Sequence, residues 1–394
     1  MNASESRYRD WLEARRRSGL VRDLTHVVPH APGSVTVGGR QYVNFSGNDY
    51  LGLSRHPLLI ARAREWAELF GAGSGASRLV TGNLDLFEQI ERKVAAFKQM
   101  PAALVMASGF QTNAAVLHAL LDKQVLGAEP LVFADRLNHA SMHFGCQASG
   151  IRQHRYRHCD TGHLASLLEK HEGDDRRKFI LTESVFSMDG DVAPMQELAR
   201  IAERHDAMLV CDDAHATGVL GEGGKGLSDG AHIVIGTFSK AMGSFGAYVA
   251  CSQTVRDYLV NRCTGLIYST ALPPAVLGAI DASLDLVAGL DDQRARLARL
   301  SARFRTRAGE RGYDTGSSET QIVPLIVGEA DAALSLSRNL KDAGYWATAI
   351  RPPTVPKGTA RLRLAFSAVH RDADVDGLLD MLATKTAQER VATA

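Results

Sequence analysis

A single lysine interrupts a run of small and apolar side chains. From Ile233 to Ala250 the sequence reads IVIGTFSKAMGSFGAYVA, and Lys240 is its only charged residue. Burying an ammonium costs several kcal/mol unless it is paired or gives up its proton. A lysine crowded by apolar neighbours has its pKa lowered, which suits an amine that forms an imine with a carbonyl. Upstream, MLVCDDAHATG ends an apolar run on Asp212 and Asp213, with His215 just behind. Two adjacent carboxylates at a buried strand end need positive partners. An aspartate facing a pyridinium nitrogen holds a pyridoxal ring protonated and makes it an electron sink. Lys240 lies past the next strand, where it reaches the same crevice.

Two further stretches suit a flat, phosphorylated ligand. SGFQTN, residues 108–113, follows an apolar strand and opens a helix, so its free N–H groups and positive dipole end fit a phosphate. Thr237 and Ser239 add hydroxyls near the same charge. RLNHAS, residues 136–141, puts His139 at another strand exit, where an imidazole can stack on an aromatic ring. Taken singly, each has a plainer reading: Lys240 as a snorkelling surface lysine, His139 as a capping or core histidine, Asp212 as a turn cap. The order phosphate loop, His, Asp-x-x-His, Thr-x-x-Lys, each on its own strand end, has no simple structural reason. Two glycine-rich matches do not compete with it. GAGSGA (71–76) follows a helical stretch instead of a strand, and GEGGKG (221–226) has Gly226 where a P-loop requires Ser or Thr. Both read as turns that need positive φ.

The elements that must position these residues alternate. AALVM (102–106), LVFA (131–134), FILTE (179–183), MLVCDD (208–213), IVIGT (233–237) and AYVAC (247–251) read as buried strands, separated by amphipathic stretches such as PMQELARIAERHD. This alternation predicts an α/β fold, a mostly parallel sheet covered by helices on both faces, with ligands outside the carboxyl ends of the strands. The spacing predicts an N-terminal segment (1–55), a large α/β domain (56–285) and a smaller C-terminal α+β domain (286–394), with a long helical spine over about 274–309. Charged residues make up 23% and the net charge is +1, which gives no electrostatic reason to expect nucleic acid or an anionic membrane. No run of 18 or more apolar residues is present to span a bilayer. The N-terminus reads as a charged amphipathic helix, not a secretion signal. Five cysteines without a CxxC pair fit a reducing cytoplasm better than a disulfide framework. The pairs His139/His143 and His154/His158 lack the glutamate that a zinc-protease helix carries, so no metal site is expected.

With these residues in place, the stretch TESVFSMDGDVAPMQELARIAERHDAMLVCDDAHATGVLGEGGKG (182–226), followed by TFSKAMGSFGA, resembles the α-oxoamine synthases of the fold-type I pyridoxal-phosphate superfamily, similar to aspartate aminotransferase in fold. The resemblance runs from about Arg15 to the last helix. NFSGNDYLGLSRHP, IYSTALPPA and AIRPPTVPKGTARLRLAFSAVH are similar to members that join L-alanine to a pimeloyl thioester on CoA or an acyl-carrier protein. The resemblance implies pyridoxal 5'-phosphate as cofactor, a Schiff base at Lys240, and Asp212 at the pyridine nitrogen. It implies His215 at the phenolic oxygen, His139 stacked on the ring, Gly109, Phe110 and Thr237 at the cofactor and its phosphate, and Ser187 beside the ring. Arg351 would grip the amino-acid carboxylate, with Arg22, Asn48, His139 and Thr354 at the substrate. It further implies a homodimer with shared active sites, in which Ser269 and Thr270 serve the neighbour's phosphate. Rival readings are a member using glycine with acetyl-CoA or serine with palmitoyl-CoA, a transaminase, and a non-catalytic partner subunit; the last would lack the lysine.

Overall fold

The computed structural model describes the backbone of residues 3–392 and side chains of residues 4–382. The apolar runs form a seven-stranded sheet: β1 (Ala102–Met106), β2 (Leu131–Asp135), β3 (Gln153–Tyr156), β4 (Lys178–Glu183), β5 (Ala207–Asp212), β6 (Ile233–Thr237) and β7 (Ala247–Cys251). Their order is β1-β7-β6-β5-β4-β2-β3. Only β7 runs antiparallel to its neighbours. Successive residues feed opposite faces: Ala103, Phe133, Ile180 and Leu209 enter one apolar cluster, while Leu104, Val132, Phe179 and Val210 enter another. Burial on both faces is why these strands read as unbroken apolar runs.

A second, three-stranded sheet is built from Ile322–Gly328, Thr348–Ile350 and Ala360–Ala365. A third core cluster joins it to the N-terminal segment, with Phe45 and Tyr50 packed alongside Leu362 and Phe366. Strands Ser34–Val37 and Arg40–Asn44 form a hairpin whose edge pairs in parallel with Tyr345–Trp346, tying the N-terminal segment to the C-terminal region. The expected single helix over 274–309 is instead two, Pro274–Val287 and Asp291–Glu310. Gly289 lies in the break, and Asp291 and Asp292 start a new first turn at the second helix's positive end.

Directly below the β5 end, Asp213 is enclosed. Lys98, the last residue of helix Asp85–Lys98, places Nζ 2.7 Å from its Oδ2, both side chains at most 1% exposed. Ser184 donates its hydroxyl to Oδ1 at 2.6 Å. Gly226 closes over the carboxylate with φ +96°, and a Cβ there would stand 1.7 Å from Oδ2, so the GEGGKG loop is a glycine turn around a buried ion pair. Burial works against the Lys98 charge, but Asp213 outweighs it and holds the ammonium protonated above its ordinary range. Lys98→Met strands that carboxylate, and the expected loss is about 3–5 kcal/mol of stability by chemical denaturation. Adding Asp213→Asn is expected to recover most of it; equal losses in the single and double variants would mean the pair contributes nothing.

Candidate active site

The carboxyl ends of β1, β2, β4, β5 and β6 open onto one cavity of about 260 Å³. Helix Gly109–Leu120 starts at its rim, capped by Ser108, whose Oγ accepts from the Gln111 N–H at 3.3 Å. The first-turn N–H groups of a helix have no intrahelical acceptor, so this end presents donors and a positive dipole. Thr237 and Ser239 face the same rim with their hydroxyls 2.7 Å apart. Phe110 and His139 flank the mouth with ring centroids 6.5 Å apart. His139 also caps helix Ala140–Ala148, so the plain capping role and a place at the cavity hold together.

Lys240 and Asp212 both line this cavity. The lysine stem is half-buried, and Nζ lies 2.8 Å from His215 Nε2. Tyr50 donates its hydroxyl to Asn48 Oδ1 at 3.0 Å and lies 2.7 Å from His215 Nδ1, which assigns the proton to Nδ1 and leaves Nε2 to accept from the amine. Arg363 Nη2 donates to Asn48 Oδ1 at 3.2 Å, and its Nε donates to the Ser187 carbonyl. Burial holds His215 well below the usual imidazole range, with Lys240 adding to it, so the ring is neutral. Asp212 Oδ1 accepts from the Ala214 N–H at 2.9 Å, and Oδ2 from Asn113 Nδ2 at 2.6 Å. The same Nδ2 reaches Ser141 Oγ at 3.0 Å, which lies 2.6 Å from His139 Nδ1. One asparagine thus orients both the aspartate and the histidine.

Burial pushes the Lys240 amine down to about 8, against the pull of Asp212 and Glu183. Capture of an aldehyde by ligand-free protein is therefore expected to rise steeply with pH to about 8 and flatten above about pH 9. Stopped-flow absorbance checks it; a rise that continues past pH 10 would mark an ordinary solvated lysine.

The sequence reading gave no site role of their own to Asn113, Tyr50 or Arg363, and Glu183 entered it only as the last residue of FILTE. Glu183 is 3% exposed and sits in register with Asp212 across β4 and β5. Burial first, then the Asp212 charge, pushes its carboxyl well above the usual range. Among the described residues its Oε1 is a buried oxygen with no partner, and the residue lines the cavity.

Not every expected residue gathers here. Ser187 and Thr354 line a neighbouring cavity of about 550 Å³. Arg22 Nη2 donates to Thr354 Oγ1 at 3.2 Å, and Arg351 donates to the Gly19 carbonyl, so the 19–22 segment lies as a strap along the 351–354 loop. Ser269 and Thr270 line neither cavity; Thr270 forms a bridge with Ser77. Among the described residues, Asp135, His158 and Cys159 form the one cluster with metal-ligand spacing. His158 is already held by Asp135 at 3.0 Å and Asp191 at 2.7 Å, and although burial opposes its charge these bonds raise it to about 12. An imidazolium with both nitrogens engaged offers no lone pair to a metal.

A sequence model of the family described as aminotransferase class I and II matches residues 40–382. An 8-amino-7-oxononanoate synthase of Gluconacetobacter diazotrophicus is 56% identical over 93% of this chain and 93% of its own. Among solved structures, a serine palmitoyltransferase from S. paucimobilis with bound PLP–myriocin aldimine superposes with a TM-score of 0.89, 26% identity and coverage of 98% of each chain. An 8-amino-7-oxononanoate synthase from Francisella tularensis superposes with a TM-score of 0.76 and 27% identity, covering 89% of this chain and 99% of that one. The chain therefore belongs to the aminotransferase class I and II family, and within it to the α-oxoamine synthases that its motifs resemble.

Proposed function

We propose that this chain is an 8-amino-7-oxononanoate synthase, which condenses L-alanine with a pimeloyl thioester and releases CO2 and free thiol, a step of biotin biosynthesis. The observation that carries the reading is one cavity that holds the low-pKa Lys240 amine, the Asp212 carboxylate and a helix N-terminus together. These residues fit pyridoxal 5'-phosphate: an amine for its aldehyde, a carboxylate for its ring nitrogen, and helix-end N–H groups with Thr237 for its phosphate. When bound, the cofactor supplies an electron sink for negative charge at the amino acid's Cα.

The chain's own groups do the rest. Asp212, fixed by Asn113 and the Ala214 N–H, would keep its charge directed at a proton on the ring nitrogen. Lys240 would hold the cofactor through Nζ, and the same Nζ, when free, would take the Cα proton and return one. Neutral His215 accepts a hydrogen bond from the amine, which leaves the nitrogen lone pair free to act as a base. His139, at the same cavity, would cover the ring and orient the carboxylate and thioester carbonyl. Arg351 would bind the alanine carboxylate with its planar fork, and Arg22, Asn48 and Thr354 would contact the substrate. Ser187, which lines the neighbouring cavity, would stand beside the ring only by the same resemblance. A homodimer in which Ser269 and Thr270 serve the neighbour's phosphate site, and a cytoplasmic location in keeping with five free cysteines, belong to the same reading. Among the described residues no helix is long and apolar enough to cross a membrane.

Thiol release measured for alanine, glycine and serine against acetyl, pimeloyl and palmitoyl thioesters tests the proposal. Alanine with the pimeloyl donor is expected to give the highest kcat/KM. Preference for glycine with acetyl-CoA, or for serine with palmitoyl-CoA, would move the chain to another member's chemistry. Keto acid from alanine without thiol release would make it a transaminase.

A further inference from the structure

The cavity that carries Ser187 and Thr354 has the build of a sleeve for a short chain with a charged end. Its walls include Leu137, Phe186, Met188, Val355 and Pro356, enough apolar surface to enclose methylenes. Three cations also line it, Arg136, His158 and Arg361. Two are committed. Arg361 pairs with Asp189 and donates to the Met188 carbonyl, and His158 is clamped between Asp135 and Asp191. Arg136 is different: among the described residues its guanidinium has no hydrogen-bond or ion-pair partner, and the residue is exposed to the cavity. Its backbone is nevertheless fixed. The Arg136 N–H donates to the Tyr156 carbonyl at 3.2 Å, and the next N–H, of Leu137, donates to Asp135 Oδ1 at 2.9 Å. The same turn continues into His139 at the Lys240 cavity, so one rigid segment spans the reacting centre and the free cation.

We infer that Arg136 receives the terminal carboxylate of the acyl donor, so that this cavity selects ω-carboxyacyl thioesters over neutral-ended thioesters of similar length. The inference rests on the functional reading above and assigns it a specificity residue. A planar fork suits a carboxylate bidentately, and a free guanidinium beside an apolar wall leaves a neutral chain end with nothing to satisfy it. Hydrogen bonds to a charged group in a partly wet site correspond to about 10–100-fold in discrimination.

The test uses the full-length, cofactor-loaded enzyme with L-alanine and three donors: pimeloyl-CoA, its terminal methyl ester and octanoyl-CoA. The wild type is expected to prefer pimeloyl-CoA over the methyl ester by about 10–100-fold in kcat/KM. Arg136→Gln is expected to bring that ratio close to one, through a higher KM for pimeloyl-CoA, with Arg136→Lys in between. Turnover of the neutral-ended donors by the Gln variant shows that it is folded and loaded. An unchanged ratio in Arg136→Gln, or an equal fall for all three donors, overturns the assignment while the proposed reaction stands. A wild type that consumes none of the three donors overturns both together.

Discussion

Lys240→Ala is expected to lose at least about 10⁴-fold in kcat, because one atom is asked to serve as both cofactor anchor and Cα base. The run around it explains the choice of test. Ile235, Phe238, Ala241 and Met242 are all buried, and no carboxylate lies within ion-pairing distance of Nζ among the described residues, so burial sets the amine near pKa 8. Borohydride reduction of the loaded wild type is expected to fix the cofactor covalently to the peptide containing residue 240, and to fix none in the variant. The Ala variant is expected to keep its fold, since removing an amine whose charge burial disfavours strands no partner but His215. Activity within tenfold of the wild type, or cofactor attached elsewhere, would end the proposed role.

Asp212→Asn is expected to lower kcat about 10³-fold while leaving the cavity in place. Asparagine keeps the shape and still accepts the Ala214 N–H, but it brings no negative charge to hold a proton on the ring nitrogen. Its amide also faces Asn113 Nδ2, which now donates at 2.6 Å to a full charge. The absorbance of the loaded variant and its pH dependence read the ring's protonation apart from turnover. A variant with wild-type kcat and unchanged spectra would show that another group protonates the ring. Asp213 makes a sharp control: one residue along the chain, it answers to Lys98, so Asp213→Asn is expected to change stability more than the spectrum.

The residues legible in the sequence share one property. Lys240, Asp212, His215, His139, Gly109 and Thr237 each follow a buried apolar run, and a parallel sheet brings all such ends to one edge. What escaped the reading depends on distance along the chain. Tyr50 meets His215 from 165 residues away, and Arg363 meets Tyr50 from 313 residues away, and neither pairing leaves a local pattern. Asn113 sits in the first turns of a helix chosen for its phosphate-binding end, so its second task of orienting Asp212 was hidden by the first. Strand Gln153–Tyr156 escaped because QHRY has no apolar run; it is the sheet's edge, with only one neighbour. The helix over 274–309 was drawn too long because leucine and alanine continue on both sides of Gly289, and periodicity alone does not register a three-residue break. Arg22, Arg351 and Thr354 were chosen by resemblance, and the contact of the 19–22 strap with the 351–354 loop is a pairing that no spacing rule contains.

The hydrogen-bond line from Lys240 through His215 and Tyr50 to Asn48 reaches Arg363, and Gln321 Nε2 holds the His215 carbonyl at 2.8 Å. During synthesis, a nascent chain that has emerged only to residue 315 already owns the amine, the aspartate and the whole seven-stranded sheet. It still lacks both late residues that steady the histidine. Competence is therefore expected only once residues 321 and 363 have emerged, and a shorter polypeptide would leave the Lys240 nitrogen without its finished setting.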